Sequence, residues 1–177
     1  MFRKYYLTCS LKGVNEVSDN IKVKISYEGQ HHQMDLDTLI LSLLHFSELV
    51  KSASKEVMPG EKIEIKIDAT EKGSFEVFLS LCSEVPKGLL SYLTWDNLNK
   101  LAIIMVFVEG FLKLKKFLKG KKPGNVQSKN GVTIITYGNS NIEVSDKVYN
   151  FYKGNQKANE HVESLFDKLV ERPEIEG

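Results

Sequence analysis

Apolar and polar residues alternate along several short segments of this chain, and such alternation predicts half-buried strands. The segments fall in three pairs: residues 5–11 with 21–27, residues 63–69 with 75–81, and residues 132–137 with 142–144. Each pair is followed by apolar residues spaced three to four apart, which is typical of a helix that faces a core. The pattern therefore predicts three successive ββα units.

The helices of these units have recognisable start and stop signals. Asp35 precedes the apolar positions of residues 36–57, and Pro59 and Gly60 follow them, so we expect a helix capped by Asp35. Further helices are expected from Asp96 to Leu118, from Ser145 or Asp146 through Phe151, and over residues 158–170. The helices are expected to pack on one face of a mostly antiparallel sheet, which makes the fold class α+β.

The length of 177 residues, with 42% hydrophobic and 27% charged residues, suits a single globular domain. We expect residues 1–118 to hold two ββα units and residues 132–172 to hold the third. Residues 119–131 are polar and rich in helix- and strand-breaking residues, which predicts a mobile linker.

Charge and cysteine content exclude several classes of protein. The chain has 24 Lys+Arg against 23 Asp+Glu, so no overall excess of charge indicates a nucleic acid or an anionic membrane as partner. Cys9 and Cys82 do not form a CxxC pair, which excludes a disulfide framework and a four-thiolate zinc site. With no export signal and no apolar run of about 20 residues, a cytoplasmic location is expected.

The segment from Leu101 to Val108 is apolar on every side of its predicted helix, so it must be buried in the domain or against another chain. Core burial is the favoured interpretation, because most interfaces are no more apolar than other surfaces. Under the alternative, self-association, the contact residues would be Ile104, Phe107, Val108 and Phe111.

A basic segment follows the apolar segment from Leu101 to Val108. Seven lysines and no acidic residue lie between Phe111 and Lys129. Lys113, Lys115, Lys116, Lys119, Lys121 and Lys122 are the candidates for contacts with nucleic-acid phosphates. The alternative interpretation is a solvated helix end, where cations complement the helix dipole.

The reactive side chains of this sequence do not indicate a catalytic or metal-binding site. His31, His32, Asp35 and Asp37 are the densest set of metal-ligand residue types, but a polar loop and a helix cap at Asp35 explain them better. His45 and His161 lie in predicted helices, and nothing in the sequence places either beside a nucleophile. We predict no catalytic residue, no cofactor and no small-molecule substrate.

Several short motifs between residues 21 and 120 occur together in a family of proteins. They are Tyr27-Glu28-Gly29, Met34-Asp35-Leu36, Ser42-Leu43, the alternating strand Ile63 to Ile67, and Gly73-Ser74-Phe75-Glu76-Val77. In these motifs the region resembles uncharacterised proteins of bacteria, their prophages and mobile elements. The resemblance implies a bacterial or phage setting and a role in conflict between the two, and it implies no catalytic residues.

These observations together predict a non-enzymatic protein-interaction module that self-associates or binds another protein, as part of a phage-defence or anti-defence system. Two alternatives remain open. One is nucleic-acid binding through Lys113 to Lys122, and the other is an enzyme whose site is assembled from distant residues.

Overall fold

The computed structural model describes residues 6–12, 20–28, 35–60, 62–68, 76–83 and 95–169. The strands in these ranges are β1 (Tyr6–Lys12), β2 (Asn20–Glu28), β3 (Ile63–Asp68), β4 (Glu76–Ser83), β5 (Asn125–Lys129), β6 (Val132–Tyr137) and β7 (Ser140–Ser145). The helices are α1 (Leu36–Val57), α2 (Trp95–Leu118), α3 (Asp146–Gly154) and α4 (Gln156–Leu169). The predicted α+β class is confirmed.

The first two predicted ββα units build one four-stranded antiparallel sheet with the order β1-β2-β4-β3. Each unit contributes one antiparallel strand pair, and the second strands of the two units meet in the centre, where Ile25 lies opposite Val77. The first strands, β1 and β3, therefore form the two edges of the described sheet.

The main core lies between this sheet and the helices. Val23 and Ile25 of β2 are completely buried, as the two-residue period predicts for one face of a strand. Helices α1 and α2 pack against each other and against the sheet, and α4 packs along α1. Phe151 of α3 meets the rings of Phe107 and Phe111 edge-on at centroid distances of 5.2 and 5.1 Å, which fixes α3 against α2.

The predicted linker over residues 119–131 is wrong in its second half, because residues 125–129 form β5 and pair with β6. The reason lies in the turn: Asn130 and Gly131 both have positive φ, 53° and 81°, as a type I′ hairpin turn requires. The strand itself lacks an alternating pattern, since Val126 is its one apolar residue.

The last third of the chain also departs from the ββα plan. It forms a second antiparallel sheet with the order β5-β6-β7, followed by two helices. A two-residue turn at Gly138 and Asn139, with a φ of 60° at Gly138, joins β6 to β7. The helices therefore cover two sheets of four and three strands, where the sequence predicted one sheet.

Hydrogen bonds hold the second sheet to α3. Ser145 caps this helix, and its hydroxyl accepts a hydrogen bond from the backbone of Val148. The completely buried Thr133 donates its hydroxyl proton to the Asp146 carboxylate at 2.5 Å and lies 2.8 Å from the Ser128 hydroxyl. Strand β5 is thus tied to α3 through side chains as well as through its strand pairing.

None of the helices within the described residues is both long enough and apolar enough to cross a membrane.

Candidate interaction surface

Helix α1 begins where the sequence predicts. The Asp35 carboxylate accepts a hydrogen bond of 2.9 Å from the backbone nitrogen of Thr38, so Asp35 is the helix cap. The cap fixes the first turn and therefore the direction in which Leu36 points.

The outer face of α1 carries large apolar side chains. Leu36, Ile40 and Leu44 keep 65%, 52% and 52% of their surface exposed. They follow one another at intervals of four residues, so they lie along one side of the helix over about 12 Å. We call these three residues the α1 stripe.

The opposite face of the same helix builds the core. Phe46, Leu49, Val50 and Ala53 are completely buried. The α1 stripe therefore does not contribute to the core. Exposing these side chains to water is unfavourable, and core packing does not explain why the three positions are apolar.

The sequence predicted that residues 101–108 of α2 are buried on every side, and the structure agrees only in part. Ile104, Phe107, Val108 and Phe111 are between 0% and 6% exposed, so the core interpretation accounts for them. This corrects their assignment as interface residues, because side chains buried against β2, α1 and α3 are not available to a partner. The helix is nevertheless not buried on all sides.

The exposed apolar residues of α2 lie between the buried ones. Ile103 and Val106 are 53% and 63% exposed, and their spacing of three places them on one side of the helix. Sequence periodicity missed them because every position in this segment is apolar, so the pattern does not mark which side faces water.

Among the candidate phosphate-binding lysines, Lys113 and Lys115 lie beside acidic side chains. Lys113 forms an exposed ion pair of 2.7 Å with Glu109, one turn earlier in α2. Lys115 is buried, and its ammonium lies 2.5 Å from the Glu163 carboxylate of α4. The assignment of Lys115 to a phosphate-binding surface is therefore corrected, because its charge is compensated within the fold.

The other candidate lysines lie on the surface: Lys116, Lys119, Lys121 and Lys122 are all exposed. The ammonium of Lys121 lies 5.3 Å from the centre of the Tyr137 ring, and a hydrogen bond to Tyr137 raises the pKa of this lysine above its ordinary value. These four lysines form an exposed basic group at the end of α2.

The metal candidates from the sequence are not brought together. Asp35 is engaged as a helix cap, and His31 and His32 lie outside the described residues. In the ranges that the structure describes, no group of three or more histidine, cysteine, aspartate or glutamate residues could hold a metal ion.

The structure does bring together two histidines that the sequence leaves separate. The Nδ1 atoms of His45 in α1 and His161 in α4 lie 3.3 Å apart, although 116 positions separate them along the chain. Sequence analysis placed each in a helix but could not predict their contact, because helical spacing carries no information on which helices pack together.

Comparison with protein-family models, with curated proteins and with solved structures finds no match to this chain.

Proposed function

We propose that this chain is a non-enzymatic protein-interaction module of bacterial or phage origin that self-associates through the α1 stripe. The resemblance of residues 21–120 to prophage and mobile-element proteins supports the origin and a role in phage defence or anti-defence. The exposed apolar row of Leu36, Ile40 and Leu44 carries the functional part of the proposal.

The hydrophobic effect supplies the driving force. Complete burial of a leucine or isoleucine side chain is worth about 1.5–3 kcal/mol, and each residue of the stripe still exposes half or more of its surface. Apolar residues in an uninterrupted row, unlike scattered ones, give a partner helix a continuous contact line.

The spacing of the stripe suits a second copy of the same chain. In an antiparallel contact around a two-fold axis, Ile40 would meet its own symmetry mate, and Leu36 would meet Leu44 of the other copy. Such a contact is self-complementary, because both copies contribute the same three residues. A stable interface buries about 800 Å² per partner, more than three side chains supply, so we expect concentration-dependent association.

Substitution at the centre of the stripe tests the proposal. Ile40→Glu would place two carboxylates against each other at the two-fold axis, so the variant should remain monomeric at concentrations where the wild type forms dimers. Sedimentation velocity over a wide concentration range measures the two species.

Ile103→Glu is the matched control, because Ile103 has the same side chain, lies in a helix and is 53% exposed compared with 52% for Ile40. It should associate like the wild type. A wild-type chain that is monomeric at every concentration, or a loss of association in the control alone, would contradict self-association through α1.

Nucleic-acid binding is a second candidate, supported by the exposed Lys116, Lys119, Lys121 and Lys122 at the end of α2. Contacts with phosphates would make retention on DNA or RNA steeply dependent on salt. Replacing Lys119, Lys121 and Lys122 by glutamate should then abolish that retention, whereas unchanged retention would exclude this group of lysines.

A further inference from the structure

Strand β3 forms one edge of the first sheet, and among the described strands it pairs only with β4. The outer side of an edge strand presents a row of backbone N–H and C=O groups that can pair with another chain. Natural edge strands often prevent such pairing with charged side chains. The arrangement of charges along β3 therefore decides which strand this edge can accept.

The residues of β3 are arranged symmetrically about Ile65. Glu64 and Lys66, which have opposite charges, stand on either side of it, and an isoleucine follows one position further out in each direction. Two copies of β3 can pair in antiparallel orientation with Ile65 at a two-fold axis. Glu64 of each copy then lies opposite Lys66 of the other, and Ile63 lies opposite Ile67.

Other registers lose this complementarity. A shift by one residue would place each of the two charged residues opposite an apolar one. A shift by two residues would place either Lys66 or Glu64 opposite its own symmetry mate, and like charges directly opposite each other are destabilising. The sequence of β3 therefore favours one register with a second copy of itself.

The two charged side chains are already close to each other within one strand. The Lys66 ammonium lies 3.0 Å from the Glu64 carboxylate, and the two side chains are 57% and 49% exposed. In the symmetric register two such pairs would meet across the axis. Each carboxylate would then have an ammonium on its own strand and another on the opposite strand.

Ile67 provides the apolar part of the contact. It lies opposite Leu79 of β4, which lies opposite the completely buried Val23 of β2, so Ile67 stands on the core-facing side of the sheet. It is nevertheless 64% exposed. Pairing would set Ile67 beside Ile63 of the second copy, a residue that packs against the core, and would cover its exposed surface.

The α1 stripe belongs to the helix that packs on this edge of the sheet. Among the described elements α1 packs against β3, whereas α2 packs against β1, β2 and β4. Ile40 is turned about 140° around the helix from His45, which contacts α4, so the stripe lies away from α4. A two-fold axis perpendicular to the sheet would also set α1 antiparallel to α1 of the second copy, as the proposed contact of the stripe requires.

We propose that β3 pairs in antiparallel orientation with β3 of a second copy across a two-fold axis at Ile65, so that two four-stranded sheets form one continuous sheet. This inference rests on the proposed self-association and identifies the strand that completes its interface. The stripe alone supplies less than the roughly 800 Å² per partner of a stable interface, and the paired strands add backbone hydrogen bonds and the burial of Ile67.

Charge reversal at one position tests the register. Lys66→Glu would place carboxylates opposite each other at two positions of the dimer, and Glu64→Lys would do the same with ammonium groups. Each variant alone should dimerise about 10-fold more weakly than the wild type, because two attractive cross-strand pairs become repulsive. An equal mixture of the two variants should recover dimers, since each strand then meets its complement. Sedimentation velocity measures the dissociation constants.

Two further variants are the controls. Glu64→Lys/Lys66→Glu exchanges the charges and should dimerise like the wild type. Lys113→Glu reverses an exposed lysine of similar setting, 2.7 Å from a glutamate on α2, and should also leave dimerisation unchanged. Circular dichroism checks that every variant is folded.

The outcomes separate this inference from the proposed contact of the stripe. If Ile40→Glu prevents dimerisation but Lys66→Glu does not, the stripe is the contact and the pairing of β3 is wrong. Two charge-reversal variants that stay monomeric when mixed would also overturn the pairing. A wild type that is monomeric at every concentration would contradict both proposals.

A measurement on the wild type avoids any effect of substitution. Amide hydrogen exchange over residues 63–67 should slow as the protein concentration rises into the range where dimers form, because outward-facing N–H groups of β3 become hydrogen-bonded. Exchange over β3 that does not change between monomer and dimer would contradict the pairing.

Discussion

Lys115 shows how a charged side chain is accommodated inside this fold. Its side chain is 6% exposed, whereas that of its partner Glu163 is 57% exposed, so the pair lies at the edge of the core with the carboxylate towards water. The ammonium also lies 5.8 Å from the centre of the Tyr152 ring, and burial raises the pKa of this tyrosine. The pair joins α2 to α4.

Glu163→Gln should lower the free energy of unfolding by about 1–2 kcal/mol, because the buried ammonium keeps a hydrogen-bond acceptor but loses the negative charge that compensates it. Adding Lys115→Met should recover most of that loss, since methionine fills the same space without a charge. Urea denaturation measures both variants.

The exposed pair of Lys113 and Glu109 provides the control. Glu109→Gln should change the free energy of unfolding by no more than about 0.5 kcal/mol, as is typical of exposed ion pairs. An equal loss for Glu109→Gln and Glu163→Gln would show that burial of Lys115 has no energetic consequence.

The turn between β5 and β6 explains why β5 forms a strand, which the apolar pattern of its own residues does not predict. Only Val126 of β5 is apolar, yet the strand pairs with β6 along its whole length. The Asn-Gly turn brings the two segments together, and the backbone nitrogen of Asp146 donates a hydrogen bond to the Gly131 oxygen at 2.9 Å.

Gly131→Ala should therefore lower the free energy of unfolding by about 1–2 kcal/mol, the cost of a left-handed conformation for a residue with a Cβ. A Cβ added at Gly131 would meet no other atom within 4 Å, so the loss would come from the backbone and not from a clash. Chemical denaturation monitored by circular dichroism gives the value.

Gly154 at the end of α3 is the comparison, since it also has open space but no positive φ. Gly154→Ala should be neutral or stabilising by up to about 1 kcal/mol. A destabilisation of the same size at both glycines would contradict the turn assignment.

The two sheets and the four helices share one described core. Ile25 of the first sheet, Ile135 of the second and Leu165 of α4 are all completely buried and belong to the same cluster of apolar residues. Because the cluster extends from residue 23 to residue 165, the described elements of both sheets pack into one common core.

Unfolding is accordingly expected to be a single cooperative transition. Leu165→Ala should destabilise the chain by about 2–5 kcal/mol and shift the transitions followed by circular dichroism and by fluorescence of the single tryptophan, Trp95, to the same extent. Two separate transitions would mean that the second sheet folds independently of the first.

Local sequence was sufficient to predict the elements whose apolar period is strong. It predicted α1 with its Asp35 cap, α2 and the strand pairs of the first sheet, because spacing and capping are properties of neighbouring residues. It did not predict β5 as a strand, since a single apolar residue provides no period.

Packing in three dimensions sets which sides of the helices face water and which side chains meet. The α1 stripe lies outside although its residues fit the helical period, because α1 has more apolar positions than its core-facing side can hold. The contacts of Lys115 with Glu163 and of His45 with His161 join residues 48 and 116 positions apart. Such contacts depend on how α4 packs against the other helices, and no local pattern contains that information.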